Sequence, residues 1–206
     1  MSGSGADAAP CGKAHRPIAP NLSGAEPATT FAGDCDEDVS DLWLAGARVL
    51  ELSLDRPELV DLRLDGCDLS GIVARDFIAR RLALTDTRLR GVTFANGLLE
   101  ETVVEGGVTD ELSLRFSRLR RVTFRDCDLS GADFTNTTFE HVSITGCSMR
   151  RARFDAATVE CLVISDCDLG GVTGALHLKG AQIDASDLPS LAISLAREAG
   201  IAIRDQ

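Results

Sequence analysis

The sequence predicts an all-β chain wound into a square coil of parallel strands, and three observations carry that expectation. First, Val122 to Gly171 reads in units of five, VTFRD CDLSG ADFTN TTFEH VSITG CSMRR ARFDA ATVEC LVISD CDLGG, with Phe124, Leu129, Phe134, Phe139 and their successors always third. A period of five is neither the 3.6 of a helix nor the 2.0 of a strand, so it is a repeat. Second, the phase starts near Leu42 and runs without slipping to about Gly174. Third, Cys67, Cys127, Cys147 and Cys167 are spaced by 60, 20 and 20 residues, with Thr87 and Gly107 in the two turns between. The working period is therefore 20, four units to a turn.

A five-residue unit with two inward residues and a bend suits one side of a square. Successive turns then stack through backbone hydrogen bonds about 4.8 Å apart, giving about six and a half turns and a rod roughly 30 Å long. Each turn buries its apolar face only against its neighbours, so the array needs a cap at its ends.

Taken in order, residues 1–39 are rich in Gly, Ala, Ser and Pro and end in an acidic run, which predicts a flexible tail. Residues 40–180 form the coil. It has two thin places, Ala74 with Ala79, and Gly106, Gly107 with Thr109. After Gly174 the phase shifts by one, and residues 181–206 hold a short helix. Ser186 or Asp187 can cap its start, Pro189 sits in its first turn and Gly200 follows its end. Leu188, Leu191 and Leu195 share one stripe that either closes the coil or joins two copies as a homodimer.

Composition excludes several classes. No run of about 18 apolar residues exists, so no membrane span is expected, and the amino terminus lacks a secretory pattern, which points to the cytoplasm. The formal charge is −11, and residues 40–180 hold 22 acids against 17 bases. That balance argues against direct nucleic-acid binding, which needs a cationic surface.

The Cys67, Cys127, Cys147, Cys167 column is read as structural core. Thiols stacked about 4.8 Å apart cannot converge on zinc at the roughly 2.3 Å it requires, and small buried side chains suit a tight interior. Cys161 points outward by phase, as a free surface thiol. Catalytic, cofactor and metal sites are all expected to be absent. His141 stands at an outward place with no nucleophile fixed near it, and Gly71, Gly91, Gly131 and Gly171 recur as bends rather than as a phosphate cradle. The outward acids Asp68, Asp86, Asp126, Asp128, Asp166 and Asp168 form an edge that is the candidate protein-interaction surface. A neighbouring edge mixes Arg80, Glu100, Arg120 and Glu140 with Asp61, Arg81, Glu101 and Arg121.

The units Cys67–Gly71, Cys127–Gly131 and Ala132–Asn136 resemble the pentapeptide-repeat family, over about two-thirds of the chain. The resemblance implies a right-handed quadrilateral β-helix from residue 42 to about 180. Its fluoroquinolone-resistance and toxin-immunity branches imply a DNA-mimicking rod that binds DNA gyrase, quinolone-type protection, and a homodimer through the terminal helix. This chain lacks inserted loops and carries Arg clusters at Arg118, Arg120, Arg121, Arg125 and at Arg150, Arg151, Arg153. Those departures support a second reading, a general interaction scaffold with an unrelated partner. One continuous negative stripe would favour mimicry, and a checkerboard of Arg and acids would favour the scaffold.

Overall fold

A computed structural model of the chain describes residues 17–22, 26–29, 38–49 and 52–203. Its strands are β1 (Val39–Ala45), β2 (Ser53–Asp55), β3 (Glu58–Asp65), β4 (Val73–Arg75), β5 (Ile78–Thr85), β6 (Thr93–Ala95), β7 (Leu98–Glu105) and β8 (Arg118–Arg125). After them come β9 (Thr138–Glu140), β10 (Val142–Thr145), β11 (Thr158–Val159), β12 (Leu162–Ser165) and β13 (Gln182–Ile183), then the α-helix α1 (Leu188–Glu198).

Every pairing is parallel. Leu44 faces Leu64, which faces Leu84, then Val104, Phe124, Ile144 and Ile164, each step being 20 residues. Three further ladders complete the square. They are Arg48–Asp68–Arg88 onward to Asp168, Ser53–Val73–Thr93 onward to Thr173, and Glu58–Ile78–Leu98–Arg118–Thr138–Thr158. The square coil and its period of 20 are as the sequence predicts. At the carboxyl end Ile164 pairs with Ile183, a step of 19, which is the phase shift expected after Gly174.

The corners explain the pattern of five. The fifth residue of nearly every unit is left-handed, for example Asp61 (φ 55), Asp86 (φ 49), Phe116 (φ 57), Asp126 (φ 53) and Ala156 (φ 55), or a glycine such as Gly66 (φ 61) and Gly146 (φ 67). The left-handed region costs an L-residue about 1–2 kcal/mol, least for Gly, Asn and Asp, which is why those types recur at this place. Position 161 is different. The Phe139 carbonyl accepts from both Glu160 N–H (3.0 Å) and Cys161 N–H (3.2 Å). Cys161 is buried and disulfide-bonded there, correcting the expectation of a free surface thiol.

The core changes character along the axis. In the carboxyl half Phe134 stacks on Phe154 at 5.3 Å and packs with Phe139 at 5.6 Å and Phe124 at 6.5 Å. In the amino half the core is Leu-rich, and Ala79 lines a wholly apolar cavity of about 100 Å³ together with Leu64, Leu84 and Leu99.

Helix α1 closes the carboxyl end in a way the capping argument did not anticipate. Asp187 stands at its N-cap without a side-chain cap bond. Its carboxylate turns instead to the last coil and accepts Cys167 N–H at 3.0 Å, while Ser190 Oγ accepts Leu169 N–H at 3.0 Å. In earlier turns a residue of the next turn supplies such an acceptor, as Ser148 O does for Leu129 N–H and Asp168 O for Met149 N–H, both at 2.8 Å. Of the predicted stripe, Leu191 is buried, Leu195 packs on the core, and Leu188 faces outward.

At the other end, Ala28 adds a parallel bridge to Leu44, donating to Trp43 O at 2.8 Å and accepting Ala45 N–H at 2.9 Å. Residues 17–22 run along the outside of the coil. Ile18 N–H donates to Glu101 Oε2 (2.8 Å) and Asn21 N–H to Asp61 Oδ1 (3.0 Å). Part of the segment predicted as a tail thus lies on the β-helix.

Candidate interaction surface

With the corners fixed, each outward side chain belongs to a vertical column, and its neighbours 20 residues away decide its state. Arg48 and Arg88 flank Asp68 at 3.8 and 3.5 Å, and Ser70 donates to Asp68 Oδ1 from its hydroxyl (2.6 Å) and its amide (3.2 Å). This local turn, a carboxylate accepting two residues onward, recurs at Asp128 with Ser130, Asp133 with Thr135 and Asp168 with Gly170. The Ser70 hydroxyl bond holds the Asp68 carboxyl below the usual carboxylate range, and the Arg150 bond (2.8 Å) does the same for Asp168.

The candidate acids therefore separate into two kinds. Asp68 and Asp168 are neutralised by arginine. Asp86, Asp126, Asp128 and Asp166 are solvent-exposed and make no ion pair with the described residues. Asp86, Asp126 and Asp166 occupy one corner on alternate turns. The alternation has a steric cause: a Cβ on Gly106 or Gly146 would overlap Oδ1 of Asp86 or Asp126, the acid one turn before.

The neighbouring edge is a lattice of opposite charges. Glu100 meets Arg80 (3.4 Å), Arg120 (3.2 Å) and Arg121 (2.5 Å), and Arg121 also pairs with Glu101. Asp61 takes Arg81 at 2.6 Å, a bond that lowers the Asp61 carboxyl below its ordinary range. Farther round, Asp133 lies between Arg115 and Arg153, and Arg118 reaches Glu140 at 3.1 Å.

Within this surface stands Phe116, a residue the sequence reading passed over. It is 53% exposed at a left-handed corner, with the Arg115 guanidinium 5.4 Å from its ring centroid. The available signal was a large apolar residue in the fifth place of a unit, where polar residues or glycine predominate.

The cysteine column is interior. Cys67, Cys127 and Cys167 thiols reach carbonyls 23 residues earlier (Leu44, Val104 and Ile144) at 3.5, 3.4 and 3.6 Å, as the hydroxyls of Thr87, Ser117 and Thr137 do at 3.0, 3.2 and 2.7 Å. Cys127 N–H meets Cys147 Sγ and Cys147 N–H meets Cys167 Sγ, both at 3.4 Å. The thiol bond to Cys127 pushes Cys147 up to about 11, and the bond to Cys147, then burial, raises Cys167. Among the described residues no group of three or more His, Cys, Asp or Glu converges as a metal site, and no helix is long and apolar enough to cross a membrane.

Residues 114–160 match the family model of pentapeptide repeats, in eight copies. Residues 114–160 are thus pentapeptide repeats. The chain's β-helix aligns with a trypsin-treated variant of QnrB1, described as a plasmid-mediated fluoroquinolone resistance protein, at 14% identity over 85% of this chain and 95% of that one, with TM-score 0.29. Full-length QnrB1 aligns at 15% identity over 72% and 99%, TM-score 0.26. A pentapeptide repeat protein from the cyanobacterium Cyanothece 51142 aligns at 15% over 68% and 86%, TM-score 0.25. No curated protein matches the chain.

Proposed function

We propose that the chain is a non-catalytic β-helix that presents a lateral face to a protein partner. Phe116 carries this reading. A phenylalanine in the left-handed region costs folding about 1–2 kcal/mol, and this one leaves half its ring in water beside a guanidinium. The exposed Arg115 contact returns about 0.5–1 kcal/mol, less than that backbone costs, and corners 20 residues either side are Asn96 and Asn136, which tolerate it. Aromatic and Arg side chains together are what buried protein interfaces enrich.

The charge pattern selects between partner types. Duplex DNA carries one phosphate per about 1.7 Å of axis. The unpaired column Asp86, Asp126, Asp166 offers one carboxylate per two turns, about 9.6 Å. Most other lateral acids are matched by arginine, so the surface is a checkerboard and favours a general scaffold over imitation of DNA. The gyrase-binding, quinolone-protecting reading is supported by that exposed acidic column alone.

The test is Phe116→Asn in the full chain, combined with a photo-crosslinker at exposed Val108 in the native host. The variant should be slightly more stable than wild type and lose the crosslinked protein adduct. An unchanged adduct would overturn the role of Phe116, and no protein adduct at all would overturn the scaffold. A supercoiling assay with purified DNA gyrase, with and without a fluoroquinolone, decides the second reading. An effect at micromolar protein that Asp86→Asn/Asp126→Asn/Asp166→Asn abolishes would replace the scaffold with mimicry.

Self-association belongs to the same proposal. Leu176, Leu188, Ile193, Ile201 and Ile203 are exposed at the carboxyl end, so a homodimer would use these rather than Leu191 and Leu195, which face the coil. Light scattering of Ile193→Glu against wild type reads this directly.

A further inference from the structure

The wholly apolar cavity of about 100 Å³ in the amino half runs along the axis of the coil. Five successive turns build it, and the column Leu44, Leu64, Leu84, Val104, Phe124 lines it throughout. Four steps of about 4.8 Å make that length roughly 19 Å. Leu54 and Leu114 stand on the opposite side of the square, and Leu69 and Leu99 supply the other two sides. Thr102 also lines the cavity, but its hydroxyl donates to the Glu100 carbonyl at 3.1 Å. The two ends differ. Val39, Leu42, Val49 and Leu52 line the amino end and are only half-buried, whereas Leu114 and Phe124 at the far end are 1% exposed.

Such a wall has a chemical preference. An ordered water needs about two to four polar partners, and an apolar cavity of about 150 Å³ built into another protein takes benzene or xenon instead. Unfilled volume costs stability in proportion to its size, so an apolar group that enters restores contacts the lining has lost. The shape narrows the choice further: about 100 Å³ spread over roughly 19 Å favours a chain over a ring. One side chain controls the bore. In the ladder Leu59, Ala79, Leu99, Leu119, Phe139, Val159, Ala79 is the small member, and it lines the cavity between Leu59 and Leu99.

We propose that this axial cavity is a binding site for the unbranched alkyl tail of a small amphiphile, taken tail-first from the amino end with its polar head left in water. The apolar wall admits carbon alone. The half-buried lining at the amino end keeps the head group near solvent, and buried Phe124 limits how far the tail travels. A polar atom at the leading end of the tail would be buried without a partner, which costs binding heavily. The site lies inside the coil and is independent of the lateral face that carries Phe116.

The experiment titrates n-hexanol, to millimolar concentration, into the full chain carrying isotope-labelled leucine methyl groups. The methyl signals of Leu64 and Leu84 should shift saturably, while those of Leu169, which does not line the cavity, stay in place. The diol of the same length, with a hydroxyl at each end, should bind at least tenfold more weakly, and so should cyclohexanol. Ala79→Leu puts side-chain volume into the cavity and should weaken n-hexanol at least tenfold; if that variant does not fold, Ala79→Val should weaken it at least threefold. Absence of a saturable shift at Leu64 and Leu84, an equal response at Leu169, or diol or cyclohexanol binding as tight as that of n-hexanol each overturns the proposal. Undiminished binding to a folded variant at residue 79 does the same. Phe116→Asn should bind n-hexanol as wild type does, so failure here and failure of the lateral-face reading are separately visible.

Discussion

The acid-over-glycine alternation makes a prediction with its own internal control. Gly66 and Gly146 sit at the same corner of different turns with φ of 61 and 67. A Cβ on Gly66 meets nothing within 4 Å, whereas one on Gly146 overlaps Asp126 Oδ1. Gly66→Ala should therefore cost only the left-handed backbone of an L-residue, offset partly by a stiffer unfolded chain, a net of about 1 kcal/mol. Gly146→Ala must also drive the Asp126 side chain off its preferred rotamer, adding about 1 kcal/mol for a total near 2. In an Asp126→Ala background the second contribution vanishes, and Gly146→Ala should cost about 1 kcal/mol again. The double-mutant cycle thus predicts a coupling of about 1 kcal/mol between residues 126 and 146. Urea denaturation with unchanged m values measures all of these. Equal costs for Gly66→Ala and Gly146→Ala, or a coupling near zero, would refute the steric account of why acids and glycines alternate here.

Three further outcomes follow from the geometry. Asp187→Ala should destabilise the chain by about 2 kcal/mol, because Cys167 N–H is left buried without an acceptor; faster hydrogen exchange at Cys167 is the local readout, and unchanged exchange would contradict the cap described for α1. Asp61 and Asp168 have folded pKa values below their unfolded ones, so the stability they lend is present above about pH 4 and lost as pH falls through the folded values. Arg81→Met should move the acid-unfolding midpoint upward, as followed by circular dichroism. Finally, Cys147 and Cys167 should resist iodoacetamide in the native protein at pH 8 and react after unfolding, since both are buried and their thiols are raised; mass spectrometry showing native alkylation would contradict the ladder.

The coil was legible because each inward place recurs every five residues and each column every 20. Phe124 above Ile144 above Ile164 is a statement about spacing before it is one about coordinates. The pairing of Asp68 was equally readable, since Arg48 and Arg88 stand one turn either side. What spacing could not show was contact made without period. Ile18 finds Glu101 83 residues away and Asn21 finds Asp61 40 away, from a segment that has no repeat. The carboxylate of Asp187 was readable as a helix cap, and only the position of the last coil shows it serving Cys167 instead. Phe116 broke the pattern visibly, yet a single exception in a strong repeat reads as noise until its exposure is known.

The unfilled space in the amino half has a volumetric consequence. An apolar cavity of about 100 Å³ is volume lost on unfolding; lost outright it amounts to about 60 mL/mol, within the range that makes proteins yield to hydrostatic pressure. The carboxyl half is packed instead with phenylalanine rings, Phe134 stacked on Phe154 at 5.3 Å. Under compression the rod should soften from the end where Ala79 stands, while the turns around Phe134 keep their shape. Heat or denaturant, acting on area rather than on voids, would draw no such line along its length.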